Sequence, residues 1–167
     1  MGDPREVPTP STVNIRQHPV HPTMVVFPIA FLTGTLISDL IFLSTGNGFW
    51  AEAAFWLASG GLAIGLPAAL VGMIDFFTMN EVRKHISAWS HFLAGTMALA
   101  LAGANVQLRW DDPASVVWPL GLMLSATMAG MVAATGWLGG TLTFKHGIGI
   151  YGHDVEQEDG KDAPPRP

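Results

Sequence analysis

Four long apolar runs, parted by short polar stretches, set the plan of this chain. The first goes from Pro22 to about Ser44, the second from about Phe49 to Thr78, the third from about Ile86 to Leu108 and the fourth from about Val116 to Phe144. Each reaches the ~20 residues an α-helix needs to cross the hydrocarbon core of a bilayer. Pro22 suits a first helical turn, where an N–H would be unpaired anyway. Pro67 lies inside the second run, a place a membrane helix tolerates when neighbours satisfy the freed carbonyl. Gly46–Gly48, the polar segment 79–85 and Arg109–Pro113 read as turns. The pattern predicts an all-α fold, a four-transmembrane-helix bundle over residues 21–150. A Pro-rich arm (1–20) and an acidic tail (151–167) flank it, both too polar to build a core and both expected to be flexible.

Within the runs, small residues recur at helical spacing. Gly61, Gly65, Ala68, Gly72 and Asp75 share one stripe of the second, and His91, Gly95, Ala98, Ala102 and Asn105 one stripe of the third. Lipid gives helices no hydrophobic reason to associate, so close backbone approach through small residues takes that place. The glycines thus read first as packing positions.

Composition sharpens the class. Hydrophobic residues make up 49% and charged residues 13%, where a soluble domain is about a quarter charged. The net charge of -5, concentrated in the tail at Asp154, Glu156, Glu158, Asp159 and Asp162, argues against nucleic acid, which needs a basic footprint. Cysteine is absent, which excludes disulfides, thiolate zinc sites, iron–sulfur ligation and c-type haem attachment by this chain. A cleaved signal peptide is not expected, since no cationic start leads into a short apolar core. Seven basic residues (Arg5, Arg16, Arg83, Lys84, Lys145, Lys161, Arg166) fall on the side of both termini, and Arg109 alone on the other. That bias places both termini in the cytoplasm, with Trp50, Trp110 and Trp118 at the outer interface.

The candidate chemistry is histidine. His18, His21, His85, His91, His146 and His153 all fall on the side of the termini, and imidazole is the commonest metal ligand. His91 begins the third-span stripe about 8 Å inside the helix start. Asp75 lies on the second-span stripe near the same end. Ionisable groups at such depth are functional candidates by default. The plainer alternative is a hydrogen bond that only locks the bundle. His21, held extended by Pro22, and His146, in a Gly-rich run, are the candidates to face His91. Asp39, in the first span toward the far side, is placed to pair with Arg109 or Asn105, a structural role.

These landmarks resemble a known family. His-Pro-Thr-Met-Val-Val-Phe-Pro-Ile-Ala (21–30), Gly-Met-Ile-Asp-Phe (72–76), the histidine at 91 and Gly-Trp-Leu-Gly-Gly-Thr-Leu-Thr-Phe-Lys-His-Gly-Ile-Gly-Ile (136–150) are similar to motifs of the bacterial integral-membrane family called domain of unknown function 2231. The resemblance spans roughly residues 18–150 and implies a four-helix membrane protein without a settled activity. The family pattern carries an amide one turn after the third-span histidine, where this chain has Gly95. Some relatives are joined to Rieske-type domains, and the bundle looks like that of diheme b-type cytochromes, a fold-level analogy that favours redox work.

Four functions compete. The first is an electron-transfer subunit with haem b near the cytoplasmic end, ligated by His91 with His21 or His146 opposite, Asp75 orienting a ligand imidazole. The second is a zinc or non-haem iron site built from His21, His91, His146 and Asp75, with Glu81 as a further candidate ligand. The third is a structural or scaffold subunit without a cofactor. The fourth is transport, which no internal inverted repeat supports. Phosphate loops, His-Glu-x-x-His and nucleophile elbows are absent from the sequence. The expected surroundings are the lipid bilayer of the bacterial inner membrane, a redox protein partner, and a homo- or hetero-oligomer.

Overall fold

The structure is a computed structural model that describes residues 9–150. A two-residue hairpin, β1 (Asn14–Ile15) with β2 (His18–Pro19), leads into a short helix α1 (Val20–Met24). Then come α2 (Val26–Thr45), α3 (Gly48–Thr78), α4 (Asn80–Arg83), α5 (Ile86–Leu108), a π-type turn at Val117–Gly121 and α6 (Leu122–Phe144). Four helical segments are long and apolar enough to cross a membrane: Val20–Thr45, Gly48–Thr78, Ile86–Leu108 and Val117–Phe144. They coincide with the four runs within one or two residues, because an apolar stretch of this length has one stable form in lipid. Pro67 does not break α3, which runs unbroken from Gly48 to Thr78.

The helices stand in a ring: α2 packs on α3, α3 on α5, α5 on α6 and α6 on α2. The outward surface is apolar, with Phe27, Trp56, Leu70 and Leu93 all more than half exposed. That surface is what a bilayer solvates. Between the helices the core is thin. Leu32, Ala98, Ala102, Met128 and Val132 form one cluster; Phe76, Met79, Val82, Ala88 and Leu142 form another nearer the terminal end. Small residues make the closeness possible: a Cβ on Gly61 would sit 2.5 Å from Leu32, and one on Gly65 2.6 Å from Leu99.

The two ends of the described segment meet. Thr9 N donates to Gly147 O at 3.0 Å and Gly149 N to Thr9 O at 2.8 Å. An even number of crossings follows. Residues 9–19, expected as part of a flexible arm, therefore take a defined course back over the bundle. The expectations for residues 1–8, for the tail 151–167 and for His153 fall outside the described residues.

The bundle is also a repeat. The first hairpin, α1 to α3, and the second, α5 to α6, bury corresponding positions. Pro28, Leu32, Thr35 and Asp39 of the one match Ala98, Ala102, Asn105 and Arg109 of the other, counted from His21 and His91 respectively. On the return helices Ala58, Gly61 and Gly65 match Ser125, Met128 and Val132. The repeat keeps direction, since α2 and α5 run the same way. It is thus a parallel repeat, about an axis along the membrane normal, and not the inverted kind.

Candidate functional site

His21 and His91 occupy the same place in the two hairpins and face each other near the terminal end. Their ring centres lie 6.1 Å apart, with the planes at 83°. Each ring is fixed by a helix of its own hairpin. His21 Nδ1 donates to Ala68 O at 2.8 Å, and His91 Nδ1 donates to Thr135 O at 2.9 Å. A carbonyl can only accept, so Nδ1 carries a proton in both rings, and in a neutral ring Nε2 then keeps the lone pair. That is the tautomer in which imidazole binds metals, its second nitrogen held by a carbonyl.

A glycine four residues after each acceptor makes the seat. A Cβ on Gly72 would come within 2.8 Å of Nδ1 and Cε1 of His21, and one on Gly139 within 3.1 Å of Cε1 of His91. Any side chain there would lie back over the preceding turn and cover the carbonyl that the imidazole reaches.

The two histidines line a cavity of about 390 Å³, within the range of about 300–1,000 Å³ typical of small-molecule sites. Its wall follows the repeat: Val25 and Gly95, Ile29 and Leu99, Ala69 and Gly136, and Met73 and Gly140 are all paired lining positions. The wall is largely apolar, and the imidazoles are among its few polar groups. Gly95, where the family pattern has an amide, leaves open room toward Thr135, whose Cγ2 would be 3.7 Å from an added Cβ.

Asp75 also lines this cavity, but it does not bond either imidazole. Its carboxylate accepts from Ser11 Oγ at 2.5 Å and from Val13 N at 2.9 Å. Orientation of the rings falls instead to the two carbonyls, which the glycines expose. His146 is outside the cavity lining; its ring stacks on His85 with centres 4.0 Å apart. Of the two partners considered for His91, His21 is the one that faces it. Among the described residues no group of three or more His, Cys, Asp or Glu side chains is arranged to hold a metal ion.

The far end holds a second polar cluster at matching positions, eighteen residues after each histidine. Asp39 and Arg109 form an ion pair at 2.7 Å with both side chains fully buried. Ser125 Oγ donates to Asp39 Oδ2 at 2.6 Å, Arg109 Nε donates to Asn105 Oδ1 at 2.5 Å and Asn105 Nδ2 donates to Ser125 Oγ at 2.9 Å. The pairing expected for Asp39 is present, but Arg109 is not a loop cation: it caps α5 from inside the bundle. The sequence offered no sign of Ser125 as the bridge, since serine in a membrane helix is ordinary.

No curated protein and no solved structure matches this chain. The family described as "predicted membrane protein (DUF2231)" matches residues 17–152, a stretch that takes in all four spans, both facing histidines and the far-end ion pair. The chain accordingly belongs to the DUF2231 family of membrane proteins.

Proposed function

We propose that this protein is an electron-transfer subunit of the bacterial inner membrane, with both termini cytoplasmic, that holds haem b between His21 and His91. The observation that carries the reading is the pair of imidazoles, one from each hairpin, each fixed through Nδ1 and facing the other in an apolar cavity. The two rings lie 6.1 Å apart, so a metal bound between them would draw one imidazole ligand from each hairpin. Bundle cores are where such cofactors sit, held by side chains from facing helices. Bound there, a haem supplies one-electron exchange at a potential set by its axial ligands and by burial. The chain's own part is to fix the two rings through the carbonyl bonds to Ala68 and Thr135 and to keep water from the site. A redox partner protein completes this reading.

The test is an absorption spectrum and metal content of protein purified in detergent. A Soret band with iron is expected. It should vanish from His21→Ala and His91→Ala and persist in His146→Ala. A colourless protein free of iron overturns the assignment. Metal without a porphyrin spectrum moves it to zinc or non-haem iron. If neither metal nor colour is found and all three alanine variants only lower yield, the protein is a scaffold subunit.

A further inference from the structure

Asp75 breaks the repeat. Its counterpart in the second hairpin is Leu142, and both line the cavity. Its carboxylate grips the arm through Ser11 and Val13, and Thr78 Oγ1 donates to Thr12 Oγ1 at 3.0 Å beside it. At its other end the arm is bridged to the segment after α6 by the two hydrogen bonds of Thr9. The arm therefore runs from α3 to the chain beyond α6, and Ser11, Ile148 and Gly149 form part of the cavity lining. Ser11 is 6% exposed.

A polar segment over an apolar hollow is not held there by hydrophobic burial. Hydrogen bonds hold it, and those to a carboxylate are about twice as strong as neutral ones. On its flanks the same cavity includes residues of the outward, lipid-facing surface, Ile29 at 42% and Met73 at 36% exposure.

We propose that residues 9–13, latched by Asp75, seal the cavity from water at the terminal end and leave the bilayer as its approach. The site would then take a largely apolar molecule that partitions into the membrane, and not a water-borne one. This holds whatever molecule fills the cavity, so it stands or falls apart from the haem assignment.

The chain has no cysteine, so a single introduced thiol reports cleanly. Full-length Leu142→Cys in lipid nanodiscs is treated with a charged maleimide and with a lipid-soluble one. The lipid-soluble reagent should label it readily. The charged reagent should label it far more slowly than it labels Glu81→Cys on the exposed turn. Adding Ser11→Ala or Asp75→Ala should speed the charged reagent about tenfold, the scale expected when one charge-assisted hydrogen bond leaves a local opening equilibrium. Ser11→Ala serves if Asp75→Ala fails to fold, because it removes a donor without touching the bundle. Equal labelling of Leu142→Cys and Glu81→Cys by the charged reagent overturns the seal. An unchanged rate in Ser11→Ala overturns the latch, and no labelling by the lipid-soluble reagent overturns the approach from the bilayer.

Discussion

Single atoms decide the histidine seats. Gly72 and Gly139 each lack the one carbon that would stand between an imidazole and the carbonyl it needs. Gly72→Ala puts a Cβ 2.8 Å from the His21 ring, closer than such contacts tolerate. The ring must move and lose its bond to Ala68. Gly139→Ala, at 3.1 Å from His91 Cε1, asks for a shift of only a few tenths of an ångström. Overpacking of this kind costs about 1–3 kcal/mol. Gly72→Ala should stand at the upper end and Gly139→Ala at the lower, by thermal unfolding in detergent, and, under the haem assignment proposed above, the same order should appear in haem content per protein. These seats were hidden in the sequence. Both glycines look like members of small-residue packing stripes, and nothing local tells a packing glycine from one that bares a carbonyl to a side chain on another helix. The depth of His91 was legible from helical rise. The partner at Ala68 or Thr135 was not, because a backbone acceptor leaves no mark on residue type.

Between elements, the strongest cross-link is at the far end. Asp39 on α2 and Arg109 at the end of α5 sit on opposite corners of the ring, and Ser125 on α6 and Asn105 on α5 complete the network. Removing one partner leaves a charge stranded in a low-dielectric interior, which costs about 3–5 kcal/mol. Asp39→Ala and Arg109→Ala should each fall in that range by equilibrium unfolding in micelles. The double variant should cost clearly less than the two together, because it strands no charge. Additive losses would mean that the groups are stabilised separately. Within the described residues Asp39 Oδ1 and Arg109 Nη1 have no hydrogen-bond partner, so the pair is not fully satisfied and serves alignment more than raw stability. The helices themselves were readable because a run of twenty apolar residues has so few alternatives. This pairing was readable in part, since Asp39 is the one acidic residue inside the first span and Arg109 the one basic residue toward the far side. The burial of Arg109 was not: adjacency to Trp110, Asp111 and Asp112 gives it the look of a loop residue.

The two corner pairs turn out to be one fact about the whole molecule. His21 meets His91 at one end and Asp39 meets Arg109 at the other, each pair at equivalent positions of the two hairpins, so a single axis passes between both. The repeat escapes a reading by residue identity because the equivalents differ in kind: Thr35 and Asn105, Gly65 and Val132, Asp75 and Leu142. Only the spacing and the burial are kept. Opposite charges at equivalent places are what a fused duplication permits and a symmetric pair of identical hairpins forbids, since identical hairpins would set aspartate against aspartate. Each hairpin carries its own histidine, its own seat and half of the cavity wall. Contact between hairpins runs chiefly through the corner pairs and the α3–α5 and α2–α6 packing. A chain cut in the turn at 80–85, its two parts co-expressed with a tag on one, should therefore reassemble and copurify. Asp39→Arg in the first part should abolish copurification by setting two buried cations together, and Arg109→Asp in the second should restore it. If the two parts, cut at 80–85 but otherwise unaltered, fail to find each other, that turn does more than join them. If Asp39→Arg copurifies as well as the parent, the far-end pair is not what selects one hairpin for the other.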